Sequence, residues 1–320
     1  MQSLHLALPL PFYNTLTPQK HKHFLSPDAR TNTRPIHRLL GAKTDIAVKQ
    51  EETIAVSTGD SPKTEPLPEG LRGELMPRHV AVIMDGNGRW AQLRGQMASM
   101  GHQAGARSLL EIVQLSCQWG IKVLSVFAFS CDNWTRPKVE IDFLMSLFES
   151  VLKSETDKFV REGIRISVIG DSSRLPQSLQ RLINEAEETT RNFSKLHLLV
   201  AVSYSGKYDV VNACKSIACQ VKDGVIEPED ISESLIEQEL ETNCSEFPSP
   251  DLLIRTSGEL RISNFLLWQL AYTELFFAEE LWPDFGKTGF IEALTSYQQR
   301  QRRYGRRLTY HMPLTWLVVN

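Results

Sequence analysis

Several features that would settle a protein's class at once are missing from this chain. No run approaches the roughly 18 consecutive apolar residues that a membrane-spanning helix requires, so a soluble or peripheral protein is expected. Its five cysteines (Cys117, Cys131, Cys214, Cys219 and Cys244) contain no C-x-x-C pair and no histidine at zinc-ligand spacing. Reduced thiols in a reducing compartment are the expectation. There is no Asp-Asp pair, no internal repeat and no low-complexity tract. The N-terminus lacks the compact apolar core of a secretory signal.

Acidic residues are also scarce where the chain begins. Residues 1–43 hold six of the 35 Lys and Arg but one of the 38 Asp and Glu, leaving a body of 29 against 37, net −8. An acid-poor, hydroxyl-bearing leader ahead of an acidic body is the pattern of an organelle transit peptide. The acidic body argues against bulk nucleic-acid binding. Residues 44–75 are polar, carry Pro and Gly and keep no period, as a disordered linker would.

From Pro77 onward, apolar runs of strand length alternate with helical patterns. Strands are expected at 79–84, 122–129, 164–169, 196–202, 251–255 and 273–278. One helical stripe runs from Leu109 to Cys117 and stops at Gly120; another runs from Ile141 to Leu152. Strands this apolar are buried on both faces, and the alternation predicts an α/β fold with a mostly parallel sheet and helices outside it. Ligands of such sheets gather at the carboxyl ends of the strands. Five polar segments fall there: Asp85–Arg89, Ser130–Arg136, Gly170–Asp171, Ser203–Gly206 and Arg255–Asn264. Together they predict one polar rim, and its Arg89, Arg136, Arg255 and Arg261 suit an oligo-anion such as a diphosphate.

Gly86-Asn-Gly-Arg-Trp-Ala91 meets the loose dinucleotide pattern G-x-G-x-x-A, a weak signal by itself. The acid such a fold needs at the end of its second strand is missing, since Glu111 falls in a helical pattern. Asp85, directly before the glycines, would repel a pyrophosphate unless a cation lay between them. Mg²⁺ fills that role. An N-cap is the ordinary alternative for such an aspartate.

The blocks MDGNGRWA (84–91), GHQAG (101–105), FAFSCDNWTRP (127–137), DLLIRTSGELRISNFLLWQLAYTEL (251–275), LWPDF (281–285) and QRRYG (301–305) closely resemble the cis-prenyltransferase family. This is the family of undecaprenyl diphosphate synthase and its plant plastid relatives. The resemblance runs in unbroken order from about residue 75 to 305. It implies a single α/β domain (76–307) with a six-stranded mostly parallel sheet, an apolar product tunnel and a homodimer. The implied reaction is Mg²⁺-dependent condensation of isopentenyl diphosphate with an allylic diphosphate, in the chloroplast stroma, with peripheral membrane contact if the product is long.

The resemblance also assigns roles. Asp85 and Glu274 are the implied metal ligands. Gly86, Asn87, Gly88, Arg89, Trp90 and His102 form the allylic cradle, and Arg255, Arg261 and Ser263 the isopentenyl diphosphate site. Asn133 and Arg136, with Ser130 and Asp132 beside them, belong to the loop that supports condensation. The basic run 298–307 is expected to be a solvated helix end, although the resemblance allows this arm to reach a partner's active site; residues 308–320 form a tail with no counterpart.

Four positions depart from the family pattern. Ala98 stands where bacterial members carry an arginine, Asp132 replaces a glutamate, Ser203 an asparagine, and Leu260 a residue that is often polar. The loss of a cation at Ala98 keeps irregular coupling of two dimethylallyl diphosphates as the sharpest rival. A non-catalytic partner subunit is disfavoured by the intact Asp85 and glycine cradle, and a trans-type synthase by the missing Asp-Asp pair. No extra residues lie between Glu140 and Ile164, which points away from the very long dolichol and rubber types. Phe143, Leu144, Leu147, Phe148 and Val151 form a helical stripe that suits core packing first and tunnel lining second. Trp134 and Trp268 are expected to be structural.

Overall fold

A computed structural model describes residues 66–301. The expected transit peptide, most of the linker, the last residues of the domain and the C-terminal tail lie outside the described residues. Six strands form a single sheet: β1 (His79–Ile83), β2 (Val123–Ser130), β3 (Ile164–Ile169), β4 (Leu196–Tyr204), β5 (Leu252–Arg255) and β6 (Glu274–Phe277). Their order is β3-β4-β2-β1-β5-β6, and every pairing is parallel. The helices are α1 (Asn87–Leu93), α2 (Ala98–Gln118), α3 (Lys138–Glu162), α4 (Gln177–Thr190), α5 (Gly206–Lys222), α6 (Glu233–Glu239) and α7 (Trp282–Gln299). All six expected strands are present, so the α/β reading holds.

The sheet is covered on both faces, which is why its strands read as unbroken apolar runs. Along β1, Val80 and Val82 enter a core shared with α2 and α7, while Ala81 and Ile83 enter a second core with Phe265 and Leu266. Each fully buried valine contributes about 1.5–3 kcal/mol relative to exposure. A third core, around Phe129, Leu144 and Leu179, lies between β2, β4, α3 and α4.

β3 is one edge of the sheet, where unpaired backbone N–H groups would template pairing with another chain. Side chains occupy them instead. Ile166 N donates to Thr190 Oγ1 at 3.0 Å, Val168 N to Glu187 Oε1 at 2.7 Å, and Gly170 N to Glu241 Oε2.

The linker expectation needs a correction at its end. Leu71 is buried in the first core and Leu67 packs beside it. Arg72 N donates to Gln298 Oε1 and Gln298 Nε2 donates to Arg72 O, both at 3.0 Å. Residues 66–75 therefore belong to the folded body. Arg72 and Gln298 are 226 positions apart in sequence, so local composition carries no sign of the pairing.

Candidate active site

The β1–α1 turn builds the centre of the site. β1 ends at Ile83, and Asp85 is held by its own backbone: Thr256 Oγ1 donates to Asp85 O at 2.7 Å and accepts from Asp85 N at 3.0 Å. Gly86 follows with φ 110°, a left-handed conformation that a side chain would strain, and it serves as the α1 N-cap. Asp85 is thus not the cap, and its carboxylate is left for other partners. Arg255, the last residue of β5, donates from Nη2 to Asp85 Oδ2 at 2.8 Å, and Arg89 Nη2 stands 3.6 Å from Oδ1. Burial alone would raise the Asp85 pKa; the Arg255 guanidinium, helped by Arg89 and Ser257, outweighs it and holds the group below the usual carboxylate range.

Arg255 is 3 % exposed. Its Nη1 donates to Ser263 Oγ at 2.7 Å and to the Arg261 carbonyl. Arg89 is braced by Ser257, whose Oγ accepts from Nη2 at 2.5 Å. Ser257 adopts φ 82° to reach it.

Helix α2 crosses α1 at two glycines one turn apart. A Cβ on Gly101 would sit 2.0 Å from Asn87 O, and one on Gly105 would sit 2.1 Å from Asn87 Oδ1. Nothing larger than hydrogen fits at either position. The close crossing brings His102 beside the β1–α1 turn.

Asp85, Arg89, Arg255 and His102 line one cavity of about 660 Å³. One end is polar and holds Asp85, Gly86, Asn87, Gly88, Arg89, His102, Ser130, Asp132, Asn133, Arg136, Arg255 and Ser263. The other end is apolar, between α3, α4 and the sheet, and includes Leu144, Leu147, Phe148, Val151, Leu179 and Leu198. Asn87 Oδ1, which packs against Gly105, and Arg255 Nε are buried without a hydrogen-bond partner.

The cavity collects most of the expected site residues, with three exceptions. Trp90 faces α7: its Nε1 donates to Asp284 Oδ1 at 2.7 Å and Arg94 stacks on its ring. Arg261 is not among the lining residues; its guanidinium pairs with Glu259, which also stands 3.6 Å from Arg89 Nη1, and its carbonyl accepts from Arg255. Glu274 sits at the opposite end of the sheet from Asp85. It is in register with Leu252, itself opposite Val80, so five residues of strand rise separate it from Asp85, roughly 16 Å. Its carboxylate pairs with Arg300 Nη1 at 2.8 Å. Within one chain, Glu274 does not share a metal with Asp85.

The five-part rim also divides. The loops after β1, β2 and β5 line the cavity, while those after β3 and β4 buttress the β2 loop from behind. Trp134 Nε1 donates to Ser203 Oγ at 2.9 Å, and the Ser203 carbonyl accepts from Asp171 N and Cys131 Sγ, both at 3.0 Å. Trp134 is structural, as expected.

A sequence profile of the family described as "Putative undecaprenyl diphosphate synthase" matches residues 83–305. The chain belongs to that cis-prenyltransferase family. Dehydrodolichyl diphosphate synthase 2 of Arabidopsis thaliana is 67 % identical over 252 residues, covering 79 % of this chain and 81 % of that protein. Dehydrodolichyl diphosphate synthase CPT5, chloroplastic, of Solanum lycopersicum is 55 % identical over 304 residues, 94 % and 97 % of the two chains. The crystal structure of lavandulyl diphosphate synthase from Lavandula x intermedia, in complex with dimethylallyl diphosphate, matches with a TM-score of 0.71 at 45 % identity. That match covers 72 % of this chain and 99 % of that one.

This cis-prenyltransferase also uses residues that its motifs alone did not single out. Thr256 and Ser257 hold Asp85 and Arg89, but R-T-S-G gives no local sign of it. Trp282 lines the cavity; its N–H donates to Asp85 O at 3.0 Å and its Nε1 to Gly105 O at 2.8 Å. Glu140 was visible only as an acid in the first turn of α3. Ala98 lies in the cavity lining, where its methyl leaves room.

The donor set at Asp85 fits a hard dication. A single carboxylate held ionised, beside a glycine turn at the polar end of a cavity, is how Mg²⁺ is bound when diphosphate oxygens and water complete its shell. Among the described residues, no three His, Cys, Asp or Glu gather into a protein-only metal cage.

Proposed function

We propose that this prenyltransferase condenses isopentenyl diphosphate with an allylic diphosphate, with Mg²⁺, to give a Z-polyprenyl diphosphate of short to medium length. One observation carries the reading: a single cavity joins a polar end, lined by Arg89, Arg136 and Arg255 together with Asp85, Asp132 and Glu140, to an apolar end of aliphatic and aromatic side chains. The two ends match the two halves of a prenyl diphosphate.

The arginines bind the diphosphates and offset the charge that grows on the leaving group as the allylic C–O bond breaks. Asp85 holds Arg255 and Arg89 in register and is the residue that would ligate Mg²⁺, which adds further stabilisation of that charge when bound. The apolar wall takes up the growing chain and keeps water from the allylic carbon until the alkene attacks it.

Full-length protein given Mg²⁺, labelled isopentenyl diphosphate and dimethylallyl, geranyl or farnesyl diphosphate in turn tests this by product sizing after dephosphorylation. No product from any primer, or activity undiminished in Asp85→Ala, sinks it. A second reading, irregular coupling of two dimethylallyl diphosphates, is favoured by Ala98 in the lining and by the likeness to lavandulyl diphosphate synthase. A labelled product from dimethylallyl diphosphate alone selects it.

A plastid address is part of the proposal, supported by the acid-poor leader and by a relative named chloroplastic. A fluorescent protein fused after residue 65 that stays in the cytosol sinks that part. A homodimer is proposed as well; a monomer mass by light scattering at assay concentration overturns it.

A further inference from the structure

We infer that Glu140 is a positioning residue, which fixes Arg136 in the cavity lining so that its guanidinium meets the allylic diphosphate. The inference rests on the prenyl-transfer reading above. Glu140 lies in the first turn of α3, and its Oε1 accepts from Arg136 Nη1 at 2.8 Å. His102 reaches the same oxygen from α2, with Nε2 3.8 Å away. All three side chains line the cavity.

An ion pair four residues apart at the start of a helix is usually a solvated pair worth little. Two observations set this one apart. Its third member comes from a different helix, α2, and stands 3.8 Å from the same oxygen. That member, His102, has a side chain 14 % exposed, against 36 % for Arg136 and 30 % for Glu140, so the cluster is partly buried. Burial and the nearby Arg136 both push the His102 pKa down, and Glu140 opposes them.

Charge decides the role. A carboxylate facing a cavity that accepts a diphosphate repels the substrate directly. Its presence is explained if it returns more by fixing a guanidinium than it costs. Arg136 has five N–H donors, and a carboxylate gripping the Nη1 corner orients the planar fork while leaving the remaining donors for phosphate oxygens. Without Glu140, Arg136 is a long side chain at the mouth with many rotamers, and ordering it is charged against primer binding.

The test compares wild type, Glu140→Gln, Arg136→Gln and the double variant in the full chain. KM is measured for each substrate, and the dissociation constant of dimethylallyl diphosphate by calorimetry. Glu140→Gln is expected to raise the KM and dissociation constant of the allylic diphosphate about tenfold, corresponding to one charge-assisted contact. The KM for isopentenyl diphosphate stays within about twofold. The double variant loses no more affinity than Arg136→Gln alone, because Glu140 acts through Arg136.

An allylic KM or dissociation constant unchanged or lowered in Glu140→Gln overturns the assignment, because Glu140 would then be neutral or merely repulsive. Penalties that multiply in the double variant overturn it too. Wild type that binds the primer but forms no product sinks the prenyl-transfer reading, while the calorimetric comparison still decides Glu140. Wild type that does not bind the primer overturns both.

Discussion

Arg255 Nη2 donates to Asp85 Oδ2 at 2.8 Å, joining the ends of adjacent strands β1 and β5. The two residues stand 170 positions apart in sequence. Because Arg255 is almost fully buried, Asp85 is the counter-ion its guanidinium needs.

Asp85→Asn is therefore expected to act twice. Loss of the counter-ion leaves Arg255 buried and unpaired, lowering stability by about 3 kcal/mol, somewhat under the cost for a fully buried pair. Arg255 and Arg89 lose their register, and kcat falls roughly 10²–10³-fold. Chemical denaturation and steady-state kinetics on the same preparation separate the two effects. A variant as stable and as active as wild type contradicts both.

Gly105→Ala drives a methyl into Asn87 Oδ1, and Trp282 also stands in the way, 2.9 Å from that Cβ position. The crossing of α1 and α2 must open, at a cost of about 1–3 kcal/mol. Thermal unfolding should register a lower midpoint, with a weakened allylic diphosphate KM because Asn87 and His102 shift. An unaltered midpoint would mean that the two helices slide freely.

Ala98→Arg puts a guanidinium into the cavity lining at a residue that has no charge. One added phosphate contact lowers the KM for allylic diphosphates by about tenfold. Competition between dimethylallyl and farnesyl diphosphates would show whether primer choice moves as well. No change in either quantity would exclude this position from substrate selection.

Val151→Trp adds a large ring to the apolar wall from α3, away from the sheet. If that wall holds the growing chain, product length drops by one or more isoprene units while the first condensation stays within about threefold, because overpacking is confined to the wall. Chromatography of dephosphorylated products reads the outcome directly. Products of wild-type length would place the chain elsewhere.

Glu241 gives a pH-dependent prediction. Burial pushes its carboxyl up to about 7; the bond from Gly170 N opposes this, and Asp209 and Asp171 add to the rise. With the pKa raised on folding, the folded chain keeps a proton that the unfolded chain has released. That contribution to stability is fully present below the ordinary value near 4.5 and is lost as pH rises through about 7. Glu241→Gln, which still accepts from Gly170, should match wild type at pH 5 and exceed it at pH 8 by on the order of 1–3 kcal/mol. Equal stability at pH 8 would show that the ionised carboxylate is not destabilising there.

Local signals determined the scaffold. Apolar runs of strand length, helical stripes between them and polar residues after each strand are properties of neighbouring positions, and they led to six parallel strands and to the ends that carry the site. Asp85, Gly86, Arg89, Arg136 and Arg255 were legible for the same reason: each sits where a strand ends in a polar turn. Tertiary structure decided the rest, because direction and partnership depend on residues far away in the chain. Arg255 ends β5 and Arg261 follows six residues later in the next loop, yet of the two only Arg255 lines the cavity. Glu274 carries the right chemistry for a metal ligand but begins its strand, and a parallel sheet puts strand beginnings and strand ends on opposite sides. Trp90 turned out to anchor α7, Leu71 to fill the core and Glu140 to face the mouth, each through contacts that adjacent residues do not encode.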